Sequence, residues 1–298
     1  MATIEKDQDM LVKAMGYNHQ VRAFACVTTH LVKELHERHQ TLAAPIIALG
    51  QTATIGAMMG AMLKNAKERL GIQVKGGGPV GTISVQTNER LEVRGYISNP
   101  RLDWPADEDG NLDVAGAIGN QGFLHVIRDL GLKEPYQGSV PVMTGNLGDD
   151  FTYYFAKSEQ TPSAVGVAVK VDREQQVVRA GGFVLQMMPF AEPAVVDMVE
   201  KTVLSIPSVM HLLEEHKTPQ KILEQLLDET IDVLEEKPIS FHCDCSRERL
   251  LEVLISLGKK ELQSMIDDKE NAEINCQFCN ENYIFPPNEL QGLLDSIS

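Results

Sequence analysis

Four of the five cysteines in the sequence lie close together near its C-terminus. They form a C-x-C pair, Cys243 and Cys245, and a C-x-x-C pair, Cys276 and Cys279, with thirty residues between the pairs. A short turn can present both sulfurs of such a pair to one ion, and four sulfurs favour a tetrahedral, closed Zn²⁺ site. The spacing therefore predicts that these four cysteines bind one zinc ion in the reduced protein.

Other uses of these cysteines are weaker alternatives. An iron–sulfur cluster is also held by cysteines, but the two spacings match none of the common ferredoxin patterns. Ordinary disulfides or unrelated thiols would not require this clustering, and disulfides are rare in reducing compartments. A Cys₄ site leaves no open coordination position, so zinc-assisted hydrolysis is not expected.

The role of such a site is either structural or regulatory. As a structural site, the ion holds a small domain together. As a redox switch, the ion keeps its ligands as thiolates, the form that oxidants attack, and oxidation to disulfides removes the folding energy that the metal supplied. The spacing alone does not choose between these two roles.

Composition and charge limit the classes of function. The chain has 298 residues, 43% hydrophobic and 23% charged, which is enough for one large domain and a small one. Its net charge of −15 argues against a nucleic-acid-binding protein, although zinc ribbons often bind nucleic acid. The sequence opens without the basic and apolar regions of a secretory signal, so we expect a reducing, cytoplasmic location.

One uncharged stretch, Gln40 to Leu63, raises the question of a membrane span. It consists mainly of Ala, Gly, Thr, Met and Gln, and it contains a G-x-x-x-G motif at Gly56 and Gly60. Small residues of this kind let a sheet or another helix approach closely. We therefore predict a buried helix that continues to Arg69, and no association with a membrane.

Runs of β-branched and aromatic residues predict an N-terminal domain of the α+β class. Because no long helix separates the later runs, we expect antiparallel pairing. The predicted strands are Val21 to Leu31, two strands within Gly71 to Gly95, Phe123 to Leu130, Asp149 to Lys157, Ala164 to Val171 and Val177 to Met188.

Three further residues of this domain resemble site residues. Cys26 lies inside a predicted strand and is interpreted as a small buried hydrophobe, not as a fifth ligand or a nucleophile. His36 and His39 lie three residues apart beside charged residues. That pattern is more typical of a solvated helix face than of a metal site.

A change in pattern marks a linker at residues 191–240. No glycine occurs between Phe183 and Leu257, and the apolar residues take helical spacing. Prolines at positions 193, 207, 219 and 238 divide the region into short helices. Short, acidic helices depend on docking for their order, so this linker is either a spacer or an element that folds conditionally.

The last block, residues 241–298, is predicted to be a small zinc-binding domain. Ser246 is in position to cap a helix, and Ile274 and residues 283–285 flank the second cysteine pair like strands. Arg247 and Arg249 are close enough in sequence to offset the negative charge of a Cys₄–zinc centre. Because so small a module builds little core, the metal is expected to supply most of its stability.

Several sequence motifs are spread over most of the chain. The most specific is the stretch from Ser158 to Gly166, which reads SEQTPSAVG. The others are Tyr153-Tyr154-Phe155, Arg94-Gly95-Tyr96, Gly78-Pro79 and Ala180-Gly181-Gly182-Phe183. Together with the two cysteine pairs, these motifs resemble one family, the redox-regulated, thirty-three-kilodalton heat-shock chaperones of bacteria. The sequence departs from the family pattern at none of the four cysteines.

The resemblance implies an ATP-independent holdase and not an enzyme, inactive while it is reduced and zinc-bound. Oxidants would form the disulfides Cys243–Cys245 and Cys276–Cys279, release zinc and unfold the linker. The exposed apolar surface would hold unfolding client proteins during oxidative and heat stress, and the active form would tend to be a homodimer. The implied domains are an α+β chaperone core at residues 1–190, the helical linker at 191–240 and the zinc-binding redox switch at 241–298.

Two other functions are weaker alternatives. A thiol–disulfide oxidoreductase could use Cys276 and Cys279, but such catalysts usually place the C-x-x-C pair at a helix N-terminus in a βαβ unit, which the sequence does not predict here. A zinc-ribbon module that binds nucleic acid is disfavoured by the acidic charge of the chain.

Overall fold

The fold is described from a computed structural model, which covers residues 8–106, 111–131, 134–227 and 231–296. The chain divides into two compact units, residues 1–242 and 243–298. Each unit has its own hydrophobic core. The boundary between the units falls directly before Cys243, the first of the four clustered cysteines.

Within its described residues, the first unit contains eleven strands and seven helices. They follow one another as β1 (Met10–Gly16), β2 (Val21–Val27), α1 (Thr29–His39), α2 (Ala43–Gly60), β3 (Arg69–Lys75), β4 (Thr82–Asn88), β5 (Glu92–Ile97), α3 (Val114–Ile118), β6 (Phe123–Asp129), β7 (Tyr136–Pro141), α4 (Leu147–Lys157), β8 (Ser163–Val171), β9 (Val177–Met187), α5 (Pro193–Ser205), α6 (Val209–Glu215), α7 (Pro219–Leu227), β10 (Asp232–Pro238) and β11 (Ser240–Phe241).

These strands form two sheets. The five-stranded sheet has the order β10-β1-β2-β9-β8, and the six-stranded sheet has the order β11-β5-β4-β3-β6-β7. Neighbouring strands pair antiparallel, except that β11 pairs parallel with β5. The α+β class and the antiparallel pairing that the sequence predicts are therefore confirmed.

Helix α2 contacts strands of both sheets. By length and composition it would suit a membrane span, but 83% of it is buried inside the first unit, as in a core helix. Small residues are needed because its neighbours are close: a Cβ on Gly56 would lie 2.9 Å from Cγ1 of Val85, and one on Gly60 would lie 2.8 Å from Oγ1 of Thr87. The predicted buried helix is confirmed, but it ends at Gly60, and Arg69 begins β3 instead.

The linker helices α5, α6 and α7 pack on one face of the five-stranded sheet. Apolar side chains of these helices and of β1, β2 and β9 form a second core cluster. The buried residues of the helices are Val195, Val199, Leu212, Leu213, Ile222, Leu223, Leu226 and Leu227. The sheet contributes Val12, Ala14, Val21, Ala23, Ala25, Phe183 and Leu185.

The linker is not helical throughout. Its C-terminal part forms β10, which pairs antiparallel with β1, and the start of β11. The helical prediction is wrong for these residues because the edge of β1 supplies hydrogen-bond partners to β10, and no local sequence pattern reveals a partner so distant in the chain. That residues 191–240 act as a separate element stays a prediction.

The predicted strand from Val21 to Leu31 is too long. Strand β2 ends at Val27, and α1 follows almost at once. The carboxylate of Asp9 accepts hydrogen bonds from the backbone N–H groups of His30 and Leu31, at 3.1 and 2.7 Å. The first turn of α1 is thus capped by a residue far away in sequence, so the usual local start signal is missing.

The predicted strand from Asp149 to Lys157 is a helix, α4. The side chain of Asn146 accepts hydrogen bonds from the backbone at the first turn, which is a standard N-cap. Phe151, Tyr154 and Phe155 are buried at helical spacing on the face that meets the core. The aromatic residues that suggested a strand therefore form the apolar stripe of a helix.

The three additional candidate residues of this unit make contacts that support the fold. Cys26 is fully buried, and burial raises the pKa of its thiol, so it is a hydrophobe as predicted. The Nε2 atom of His39 lies 2.9 Å from the backbone oxygen of Gly95, and Nδ1 of His36 lies 2.8 Å from Oγ1 of Thr41. The prediction of a solvated helix face is wrong for His39, because this ring is buried against β5.

The second unit contains, in chain order, α8 (Arg247–Leu257), α9 (Lys259–Asp267), β12 (Ala272–Asn275), β13 (Asn282–Phe285) and α10 (Pro287–Ser296). Strands β12 and β13 form an antiparallel hairpin. Within the described part of this unit, the buried core consists of Leu254, Leu262, Phe285 and Leu290.

Candidate metal centre

The segment before α8 presents the first cysteine pair. Cys243 and Cys245 lie directly before Ser246, which caps the helix: its hydroxyl accepts a hydrogen bond from the backbone N–H of Arg249 at 3.3 Å. A capped helix begins at a fixed residue, so the chain that enters it has a defined direction. The predicted cap is confirmed, and it holds the C-x-C pair beside the start of α8.

The turn between β12 and β13 presents the second pair. The backbone N–H of Cys276 donates to the oxygen of Glu281 at 2.9 Å, and the N–H of Asn280 donates to the oxygen of Cys276 at 2.7 Å. Asn280 has a φ of +60°, a left-handed conformation that asparagine tolerates. This tight turn directs the side chains of Cys276 and Cys279 to the same point.

The four sulfurs converge into one cluster. All four Sγ atoms lie within 4.8 Å of one another. The Sγ atoms of Cys243 and Cys276 are 3.8 Å apart, those of Cys245 and Cys279 are 3.2 Å apart, and all four cysteines are free of disulfides. Zn–S bonds of about 2.3 Å in a tetrahedron separate the sulfurs by about 3.8 Å. The donor set and its spacing therefore fit a zinc ion.

Backbone N–H groups of the turn favour a sulfur anion at Cys276. Burial of this side chain opposes ionisation, but hydrogen bonds from the N–H groups of Cys279 and Phe278, together with those from the side chains of Cys279 and Cys245, outweigh it and lower the pKa of Cys276 below its usual value. Burial raises the pKa of the Cys279 thiol. The turn thus favours the thiolate form at Cys276, and a bound metal ion would favour that form at all four cysteines.

One residue at the cluster was not identified by the sequence analysis. The hydroxyl oxygen of Tyr283 lies 3.3 Å from Sγ of Cys245. The sequence pattern predicts Tyr283 only as part of a strand, but β13 leads back from the second cysteine pair and carries this side chain to the sulfurs. A hydroxyl four residues after a C-x-x-C pair is the signal that could have found it, because groups that contact ligands orient them.

The two arginines near the first pair differ in their contacts. Arg249 donates to the backbone oxygen and the carboxylate of Asp244, and this carboxylate, more than the nearby Cys243, raises the pKa of Arg249. Arg247 pairs with Glu289 of α10, and its guanidinium carbon lies 4.4 Å from the ring centre of Phe285. Arg249 is therefore the arginine beside the sulfurs, and Arg247 connects α8 to the rest of the unit.

The position of the C-x-x-C pair argues against a thiol–disulfide oxidoreductase. Such enzymes lower the pKa of an exposed attacking cysteine at a helix N-terminus. Here Cys276 and Cys279 lie in a hairpin turn, and Cys279 is buried. The geometry suits a ligand pair better than a catalytic pair.

The sequence matches the family model described as Hsp33 protein over residues 9–286. A 33 kDa chaperonin of Geobacillus kaustophilus (strain HTA426) is 50% identical over 286 residues, which cover 96% of this chain and 97% of the relative. The 33 kDa chaperonin of Bacillus subtilis (strain 168) is 44% identical over 287 residues, which cover 96% of this chain and 98% of the relative. These relatives are named as chaperonins and not as enzymes, in agreement with the prediction of a protein without catalytic activity.

The fold is similar to a solved structure. The crystal structure of the 33 kDa chaperonin (heat shock protein 33 homolog) of Thermotoga maritima matches with a TM-score of 0.91 and 36% sequence identity. The match covers 98% of this chain and 99% of that one. The likeness therefore extends over both units.

Proposed function

Because the chain belongs to the Hsp33 family, we propose that it is an ATP-independent holdase that binds unfolding proteins and is activated by oxidation. The observation that carries the proposal is the convergence of four cysteine sulfurs within 4.8 Å of one another. The proposed site lies at the start of the second unit, next to the segment that connects it to the linker. A change at the sulfurs can thus act on the linker through the chain itself.

The proposed metal is zinc, one ion per chain, held by Cys243, Cys245, Cys276 and Cys279. Four thiolates in a tetrahedral arrangement are typical of structural zinc, which leaves no open position for hydrolysis. The buried core of the second unit has only four side chains among its described residues. A unit with so little core takes much of its folding free energy from the metal.

The proposed switch is the oxidation of the four ligands to the disulfides Cys243–Cys245 and Cys276–Cys279. With hydrogen peroxide as oxidant, the four thiolates lose four electrons as two S–S bonds form. Two peroxide molecules accept these electrons and, with four protons, become four molecules of water. Disulfide sulfurs are no longer zinc ligands, so the ion is released and the second unit loses its main support.

The proposed consequence is that the linker, residues 191–240, opens. Its helices are short, and their order depends on the apolar contacts between α5, α6, α7 and the five-stranded sheet. Opening would expose both sides of this contact, and exposed apolar surface binds other proteins. We propose that unfolding client proteins bind there during oxidative and heat stress, and that the active form is a homodimer.

The charge of the chain and the redox chemistry of its cysteines support proposals about its partners and its location in the cell. A net charge of −15 disfavours nucleic acid and anionic membranes as partners and helps to keep the opened form in solution. A cytoplasmic location would keep the cysteines reduced until stress occurs.

The test measures zinc, free thiols and chaperone activity in the same samples before and after peroxide treatment at elevated temperature. The expected result is the loss of one zinc and four thiols per chain together with the appearance of aggregation suppression without ATP. Reduction in the presence of zinc should reverse all three. If the reduced, zinc-loaded protein suppresses aggregation equally well, the zinc site is structural and the switch does not exist.

A further inference from the structure

We propose that β10 is a removable cover for the edge of β1, and that an extended segment of a client protein adds to the sheet in its place. The inference rests on the proposed function, because it requires the linker to open. It adds the kind of contact that the client makes. That contact is a strand of the client, paired through main-chain hydrogen bonds with Met10–Gly16.

The position of β10 makes this exchange possible. β10 is the outermost strand of the five-stranded sheet and pairs antiparallel with β1 from Met10↔Pro238 to Met15↔Asp232. When β10 leaves, β1 becomes the edge strand, and its unpaired N–H and C=O groups form a template for another chain. Extended peptides bind to such edges by adding a strand.

The contacts of β10 are of a kind that another chain can reproduce. Its side chains are mostly exposed: Leu234 is 53% and Val233 39% exposed, and five of its seven residues lie on the surface. The buried apolar anchors are at its two ends, Ile231 and Ile239. Between them, β10 is held by main-chain pairing, which does not depend on sequence. Two polar side-chain contacts add to it: Lys237 donates to the backbone oxygen of Glu89 at 3.2 Å, and Asp232 lies 3.1 Å from His19.

The residues that follow β10 pair with the edge of the six-stranded sheet, and they lead directly to the proposed metal centre. The backbone N–H of Ile239 donates to the oxygen of Asp9 at 2.9 Å, and the N–H of Ser240 donates to the oxygen of Leu91 at 3.2 Å. The N–H of His242 donates to the oxygen of Val93 at 3.1 Å. The residue after His242 is Cys243, the first of the clustered cysteines. A loss of order at the cysteines therefore removes the structure that holds the C-terminal end of β10 in place.

The proposed occupant is an apolar strand of an unfolding protein. Val12 and Ala14 of β1 face the cluster formed by the linker helices, so an opened linker leaves apolar side chains beside the free edge. A client strand with apolar residues at alternate positions contacts this surface and the edge together. The β10 strand of a second copy would make only the contacts that the chain's own β10 makes. Because the chain's own β10 is covalently attached, its effective concentration at β1 is higher than that of a β10 strand from a second copy.

Hydrogen exchange tests the inference on the full-length, oxidised protein. The probe is guanidinium-unfolded lysozyme with carboxymethylated cysteines, added by dilution. Because β1 stays paired with β2, only its alternate amides that face β10 lose their partners when β10 leaves. Without the probe, these β1 amides and the amides of β10 should exchange rapidly. With it, the same β1 amides should become protected while those of Asp232–Pro238 stay open. If the amides of both β1 and β10 become protected and the protein is a dimer, the two copies have exchanged strands, and the proposal is wrong.

Two matched variants test the role of the cover without oxidation. Because the N–H of Ile239 faces β1 and alternate residues face the same side, the N–H of Glu235 faces β1 and that of Glu236 faces solvent. Glu235→Pro removes a ladder hydrogen bond, whereas Glu236→Pro, with the same change in charge, does not. Glu235→Pro also removes the ion pair between Glu235 and Lys237, and Glu235→Gln, which removes only that pair, controls for its loss. Reduced, zinc-loaded Glu235→Pro should bind the probe several-fold better than wild type and Glu236→Pro.

The outcomes separate this inference from the proposed function. If the oxidised wild type suppresses aggregation of the probe while the β1 amides stay unprotected, the holdase function stands and strand addition is wrong. If Glu235→Pro frees the β1 amides without increased binding, strand addition is also wrong. If the oxidised wild type fails to suppress aggregation at all, the proposed function itself fails.

Discussion

The hydroxyl oxygen of Tyr283 lies 3.3 Å from Sγ of Cys245, so a strand residue outside both cysteine pairs contacts the cysteine cluster proposed to bind the metal. A hydroxyl at this distance donates a hydrogen bond to a thiolate, and it stabilises the charged form that a metal requires. The contact also fixes one ligand relative to the β12–β13 hairpin, which carries two others. Tyr283 is therefore a residue that orients the site.

We expect Tyr283→Phe to weaken zinc binding by about tenfold, the lower end of the effect of removing groups that contact metal ligands. The ring and its packing remain, and the hydrogen bond to Cys245 is lost. Competition with a chromophoric chelator under reducing conditions measures the affinity. Tyr136→Phe is the matched control, since Tyr136 is exposed and belongs to the first unit. Equal affinities for both variants would show that the contact has no role in metal binding.

The disulfide pattern after oxidation is a separate prediction. In the reduced cluster, the sulfur–sulfur contacts at 3.2 and 3.8 Å join cysteines of different pairs. We nevertheless expect neighbouring cysteines to bridge, because short loops close at lower entropic cost once the second unit loses its order. Trypsin cleaves after Arg247 and Arg249 and so separates the two pairs. Fragments that stay joined by a Cys245–Cys279 bridge would contradict the expected pattern.

The sequence predicts an element of the fold correctly where the residues that determine it lie close together in the chain. The cysteine pairs and the small residues of α2 are recognisable in short windows, and the structure bears out both the cluster and the buried helix. The start of α1 is set by Asp9, some twenty residues earlier in the chain, and β10 is set by a partner more than two hundred residues away. Local patterns contain neither partner, so the sequence predicts one strand that is too long and a linker that is helical to its end.

Gly56 in α2 tests the close packing of the first unit. A Cβ there would lie 2.9 Å from Val85, so Gly56→Ala should lower the free energy of unfolding by about 1–3 kcal/mol through overpacking. The single tryptophan, Trp104, reports denaturant unfolding of this unit by fluorescence. Gly71→Ala in β3 is the control in the same unit, because its new Cβ would lie 4.0 Å from the nearest atom, Cβ of Ile127. An unchanged transition in Gly56→Ala would mean that the sheet and helix adjust without cost.

Asp9 makes the stability of the first unit depend on pH. Burial is the largest influence on its carboxyl and raises its pKa, although hydrogen bonds from the backbone of Leu31 and His30 and the charge of His30 act in the opposite direction. Glu34 and Arg38 line the same cavity. A raised folded pKa means that the native state binds the proton more tightly, so the stabilising effect is present below about pH 4 and is lost as the pH rises through the folded pKa.

Asp9→Asn isolates this effect. Relative to the variant, wild type should become less stable as the pH rises from about 4 through the folded pKa of Asp9, and the difference should then level off. Denaturant unfolding followed at Trp104 over this range measures it. A stability difference that stays constant, or that moves in favour of wild type as the pH rises, would contradict the raised pKa.

If oxidation activates the protein as proposed, docking of the linker should set the temperature at which activation occurs. Leu226 of α7 is fully buried against the five-stranded sheet, whereas Leu204 of α5 is 84% exposed. Leu226→Ala should weaken docking of the linker by about 2–5 kcal/mol, since the side chain loses its buried contacts and leaves a cavity. After peroxide treatment, this variant should suppress aggregation at a lower temperature than wild type, and Leu204→Ala should match wild type. Zinc release should be the same in all three proteins, because both substitutions lie outside the second unit. Activation of Leu226→Ala at the wild-type temperature, with zinc release unchanged, would mean that docking of the linker does not control the switch.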